Sequence, residues 1–152
     1  MSKIIPEKIL IYQIRIYKIN LNLSDQFLLN PKKPENYSIQ FGHENAVDFE
    51  AKAIRIRLET ILDGMNDKDE KLGVHAEYGI EFHFHVDNLE DFVEENENGK
   101  QVDSVLGTTI LSIAFSTSRG IIIERTQGTY LEGIILPVID PKELLMNSIN
   151  DK

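Results

Sequence analysis

"VHAEYGIEFHFHV", residues 74–86, alternates without a break. Val74, Ala76, Tyr78, Ile80, Phe82, Phe84 and Val86 fall on one side of an extended chain. His75, Glu77, Gly79, Glu81, His83 and His85 fall on the other. A period of two over this length is a β-strand with one apolar and one polar face. Such a strand belongs to an antiparallel sheet, one side toward a core and one toward water.

Working outward, "GMNDKDEKLG" (64–73) is a charged turn framed by glycines. Before it, "AVDFEAKAIRIRLETIL" (46–62) alternates where Ile54, Ile56 and Leu58 oppose Arg55, Arg57 and Glu59. Two strands joined by a polar turn pair antiparallel. A helix competes for Ala46–Lys52, where helix formers cluster. "KILIYQIRIYKINLNL" (8–23) is a long strand, with Ile14, Ile16 and Lys18 set against Gln13, Arg15 and Tyr17. "YSIQF" (37–41) is a short one. Between them, "SDQFLLNPKKPENY" (24–37) reads as a loop, yet it contains Phe27, Leu28 and Leu29.

Downstream, "NLEDFVEENENGKQ" (88–101) is an acidic linker, with a turn of helix at Leu89, Phe92 and Val93. From Val102 the period changes. Val102, Val105, Leu106, Thr109, Ile110, Ile113 and Thr117 recur at three and four, which predicts an amphipathic helix to about Thr126. Gly107, Ala114, Ser116, Ser118 and Gly120 crowd it with small residues that let another backbone approach. "GTYLEGIILPVIDP" (128–141) is an extended connector. Asp140 and Pro141 suit the N-cap and first position of a last helix, 141–149. The expected fold is one α+β domain, 1–152: a four-stranded antiparallel sheet followed by two helices packed on one face.

Composition narrows the function. The chain has 152 residues and a formal net charge of −9. An acidic body repels nucleic acid phosphates and anionic lipid, so neither is an expected partner. With no cysteine there is no disulfide, thiolate ligand or thiol nucleophile. The start "MSKIIPEKILIYQ" lacks the apolar run of a signal peptide, and no window reads as a membrane span, so a cytoplasmic location is expected.

Glu81, His83 and His85 share a strand face, and His-x-His pairs can hold a metal. His75 lies too far along the strand to join them, and His43 would have to come from a neighbouring strand. A solvated sheet face gives the same alternation without a metal. Residues 114–120, "AFSTSRG", offer hydroxyls but no nucleophile elbow, and the glycines form no phosphate loop. The expectation is a chain that is not an enzyme and takes no metal or cofactor. What stands out is apolar surplus: "QFLL" (26–29), the isoleucines 121–123 and "YLEGIILPVI" (130–139) exceed what one thin layer hides.

The stretch "AFSTSRGIIIERTQGTYLEGIILPVIDPKELL" (114–145) resembles the SecB-type protein-export chaperones. The matching positions are Gly128-Thr129, Leu136-Pro137-Val138-Ile139-Asp140 and Leu144-Leu145, and "YQIRIYKINLNL" is similar to the family's opening strand. The resemblance implies a homotetramer, a dimer of dimers, that holds unfolded polypeptides without ATP. Val105, Gly107, Thr109, Ile113 and Ala114 would form the subunit contact. Phe27, Leu28 and Leu29, with Ile134, Ile135 and Leu136, would edge the client groove, and Tyr78, Phe82 and Phe84 would floor it. Glu77 and Glu81 would meet the SecA motor on the outer sheet face. The implied clients are preproteins for Sec-dependent export. An antitoxin of a toxin–antitoxin system is the alternative, and a His-dependent metal enzyme the reading from a different class. Proteobacterial members carry a SecA-binding tail, and few residues follow the last helix here, so client holding is expected ahead of SecA coupling.

Overall fold

The computed structural model describes residues 2–146. Four long strands form one antiparallel sheet in the order β1-β4-β3-β2. They are β1 (Ile9–Leu23), β2 (Asn36–Asp48), β3 (Ala53–Met65) and β4 (Lys71–Val86). The alternation of β4 sets the faces. Its apolar positions, with Ile54, Ile56, Leu58 and Leu62 of β3, form the inner face and are almost wholly buried. The histidines and glutamates of β4 share the outer face with Arg55, Arg57 and Glu59.

The edge strand β1 keeps its isoleucines inward by breaking its own period. Its pairing with β4 shifts between Ile11 and Gln13 and again between Ile16 and Lys18. Each shift inserts one extra residue, Tyr12 and then Tyr17, as a bulge. The inner face therefore carries Ile9 and Ile11, then Ile14 and Ile16, then Ile19, Leu21 and Leu23, opposite the apolar side of β4. Lys18, expected beside Ile16, faces outward opposite Gly79.

Two boundaries differ from expectation. The short strand at 37–41 runs on to Asp48, and the chain turns at 49–52 before β3 begins. Pairing of Ala46 with Arg55 and Val47 with Ile54 outweighs the helix preference of 46–52. In the loop 24–35, a short helix α1 (Asp25–Leu29) forms, its first turn capped by the Ser24 hydroxyl accepting from Phe27 N. The acidic linker becomes a 3-10 turn, Leu89–Phe92, and a hairpin of β5 (Val93–Asn96) and β6 (Gly99–Val102).

Helix α2 (Ser104–Arg125) starts where the Asp103 carboxylate accepts from Leu106 N at 2.9 Å. It lies on the inner face over β3 and β4. It buries Leu106, Ile110, Leu111, Ala114, Phe115, Ser118 and Ile122, a stripe rotated from the expected one. Leu106 and Ile110 are common to both; Val105 is exposed. Contrary to the sequence reading, α2 is long and apolar enough to cross a bilayer, with mean hydropathy 1.4. Here that apolarity faces the sheet and the connector. Helix α3 (Pro141–Met146) follows, with Asp140 Oδ1 accepting from Lys142 N; residues 147–149 of the expected helix lie outside the described ones. Two helices on one face of a four-stranded antiparallel sheet, with the small α1 and the hairpin added, make the fold α+β.

Candidate functional site

The connector from α2 to α3 alternates in burial. Leu131, Ile134 and Leu136 are buried, whereas Ile135 is 71% and Val138 85% exposed. Arg119 of α2 donates to Leu136 O at 3.1 Å and ties the connector to the helix. Beyond the tie, Leu111 and Phe115 of α2 face Val138, Ile139 and Leu144 across a cavity of about 240 Å³, with Ser112, Ser116 and Arg119 at its border. On the other side of α3 lies a second cavity, of about 350 Å³. Val47, Phe49, Ile54, Ile56, Val102, Ile110 and Leu145 line it, and Asn45, Lys100, Gln101 and Ser104 edge it. Leu144 reaches the first cavity and Leu145 the second, so α3 is the wall between two apolar clefts. His43 of β2, 1% exposed, donates from Nε2 to Leu145 O at 3.2 Å and fixes that wall to the sheet.

The walls are apolar and the polar groups sit at the rims. That chemistry suits side chains of another polypeptide, which need many apolar contacts and few fixed hydrogen bonds. Nothing in the clefts pairs a nucleophile with a base.

The expected groove comes together only in part. Phe27 is in the core at 3% exposure, its ring edge-on to Tyr130 at 5.0 Å. This contact brings the loop 24–35 to the start of the connector. Leu28 and Leu29 stay on the surface beside it, as does Ile135 farther along. The expected floor is closed: Tyr78, Phe82 and Phe84 are at most 3% exposed, under α2. Ile134 and Leu136 are likewise core residues, because the alternation of the connector turns them inward. Sequence reading missed Val138, Ile139, Leu144 and Phe115 as cleft residues. The available signal was the i, i+4 pair Leu111 and Phe115, on the helix face next to the one chosen.

The expected subunit contact also divides. Ala114 is fully buried within the chain, and a Cβ on Gly107 would lie 3.9 Å from the Leu145 side chain, so these two serve internal packing. Val105 is 45% exposed, and Thr109 and Ile113 are partly so.

On the outer face each histidine of β4 has a carboxylate. His83 bonds Glu81 through Nε2, and His85 bonds Asp87 at 3.0 Å. His75 lies between Asp63, at 2.8 Å from Nδ1, and Glu77, at 3.2 Å from Nε2. Two carboxylates on the two ring nitrogens require both to donate. The Asp63 bond, aided by Glu77, holds the His75 imidazolium above the ordinary histidine range. Glu81 accepts from Arg57 Nε at 2.6 Å and is 5% exposed; the guanidinium bond holds its carboxyl below the usual range. Glu77 also pairs with Lys18 at 2.7 Å. Both expected SecA-contact glutamates are thus engaged in ion pairs within the sheet. Among the described residues no three His, Asp or Glu side chains converge as a metal site.

No protein-family model and no curated protein matches the chain. Solved structures do. One is a Mycobacterium tuberculosis protein, the Rv1957 SecB-like chaperone in complex with a ChAD peptide from the Rv1956 HigA1 antitoxin. The likeness has a TM-score of 0.58 at 13% identity and covers 88% of this chain and 91% of that one. Another is a protein of unknown function from Streptococcus agalactiae, at TM-score 0.43 and 13% identity, covering 86% and 97%. The chain has the SecB-like fold.

Proposed function

We propose that this chain is an ATP-independent holdase that binds unfolded polypeptides, acting in the cytoplasm as a homo-oligomer and without catalysis. The observation that carries the reading is the pair of apolar clefts flanking α3, with Ile135 and Val138 exposed on the connector. Burying apolar client side chains there contributes about 25 cal/mol per Å². Several weak contacts along one client add up, because each after the first is intramolecular. The SecB-like fold supports the same reading.

Clients are either preproteins for export or a dedicated antitoxin. The antitoxin reading is favoured by two observations. The similar M. tuberculosis chaperone was captured with an antitoxin peptide, and Glu77 and Glu81 are already paired with Lys18 and Arg57 instead of being free for a basic motor. Assembly through copies of this chain is supported by apolar side chains left open on the α2 side of the sheet: Ile14, Ile19 and Leu21 of β1 and Val105 of α2.

The test is a triple variant of exposed residues, Leu28→Ser, Ile135→Ser and Val138→Ser. Exposed substitutions cost little stability, within about 0.5 kcal/mol each. The expected outcome is a folded protein that no longer prevents aggregation of a denatured client. Holding equal to wild type would remove the clefts and connector as the client site.

A further inference from the structure

The sheet has two edges, and they are built differently. Edge strands expose a row of backbone N–H and C=O groups that can pair with another chain, and proteins blunt them with bulges, cationic side chains or proline. β1 carries two bulges and, between and beside them, Arg15 and Lys18. β2 carries none of these. It pairs with β3 without a shift from Asn36↔Met65 to Asp48↔Ala53, and it contains no Lys, Arg or Pro. Among the described residues no backbone group of β2 bonds any element other than β3.

We propose that the β2 edge is a docking site for an extended, basic segment of a polypeptide partner, which adds to the sheet as a fifth strand. The inference rests on the holdase reading and names the form in which a client is taken. An unpaired strand edge recognises another extended backbone. Alternate side chains of the added strand would point to the inner side, where the cavity of about 350 Å³ begins at Asn45 and Val47 of β2. The charge follows from the flanking residues. From Pro34 to Ala51 there is no Lys or Arg, while Glu35, Glu44, Asp48 and Glu50 are acidic. Glu44 is paired with Arg55 at 3.5 Å; Glu35, Asp48 and Glu50 have no ion pair among the described residues. A second copy offering its own β2 would set acid against acid, and one offering β1 would present a bulged strand. Neither fits as well as a foreign basic strand.

The probe is a synthetic peptide of alternating Lys and Val, with a Glu/Val peptide as control, read by amide hydrogen exchange along β2 of the full chain. Successive N–H groups of an antiparallel strand point to opposite sides. The expected result is slowing by about tenfold or more of alternate amides between residues 36 and 48, with β1 unchanged, on adding the Lys/Val peptide only. Proline is also placed at Asn45 and, separately, at Ala46. One of the two breaks a bond to β3. The other removes only an outward N–H, keeps wild-type stability, and should lose the peptide. Protection along β1, protection along neither edge, or equal binding of the Glu/Val peptide would overturn the proposal. Outward amides already protected in the free protein at doubled native mass would assign the edge to a second copy and overturn it too. A protein that holds denatured clients with no protection along β2 ends the edge site and leaves the holdase reading intact. Peptide pairing at β2 without any client holding does the reverse.

Discussion

Gly79 sits on the outer face because the ring of Tyr17 lies across it. A Cβ at Gly79 would be 2.6 Å from that ring. Tyr17 is the second bulge residue of β1, held by the Arg57 guanidinium at 5.4 Å and by its hydroxyl donating to Glu59 at 3.3 Å. Burial, then the Glu59 carboxylate, push its phenol up to about 12. Gly79→Ala should displace the ring and bring the phenol toward 10, followed by ultraviolet titration, with a loss of about 1–2 kcal/mol in urea unfolding. A second prediction concerns His75. Its pKa is raised in the folded state above the model value 6.5, so its stabilisation is complete below that value and is lost as pH rises through the folded pKa. His75→Gln should therefore lower Tm most on the acid side of 6.5, and the gap to wild type should shrink as pH rises into the alkaline range. A gap constant with pH would show that His75 does not bridge Asp63 and Glu77 as an imidazolium.

At the scale of elements, α2 shows how tertiary packing selects one helical face from several. Its sequence is apolar on most sides, and the expected stripe through Val105, Thr109 and Ile113 is a fair reading of spacing alone. The sheet instead takes the side with Leu106, Ile110, Leu111 and Phe115, because the connector and α3 must also find a surface on the same helix. Ile110→Ala, at a fully buried position, should cost about 2–5 kcal/mol, and Val105→Ala under about 0.5 kcal/mol. Ile113→Lys, at a half-buried site, should keep the subunit folded by circular dichroism while lowering native mass if copies meet on that side. Unchanged mass would remove Ile113 from any subunit contact.

At the scale of the whole molecule, charge and apolar surface act together. A net charge of −9 attracts basic client segments over roughly a Debye length, which salt shortens from about 10 Å at 0.1 M to about 3 Å at 1 M. Holding of a basic denatured client should weaken over that salt range, while holding of an acidic one should not. Equal salt dependence for both would assign holding to apolar contact alone. The outer face plays little part in this attraction, since its acids are matched by Arg55, Arg57, Lys18 and the histidines.

The pleat of β4 was legible in residues 74–86 because side-chain direction in a strand depends only on sequence parity. The same holds for β3, for the Asp103 and Asp140 caps and for the order of four strands before the long helix, all of which are local. The phase of β1 was not local. Ile11, Ile14 and Ile19 reach one face only because two bulges shift the pairing, and those shifts are set by β4. The end of β2 and the start of β3 were hidden in a stretch that favours helix until a partner strand is present. The candidate site was legible as a composition, an apolar surplus in 26–29 and 130–139. Which members of it are exposed was not, since Ile134 and Ile135 are chemically alike and only the position of the connector on α2 buries one and leaves the other in water.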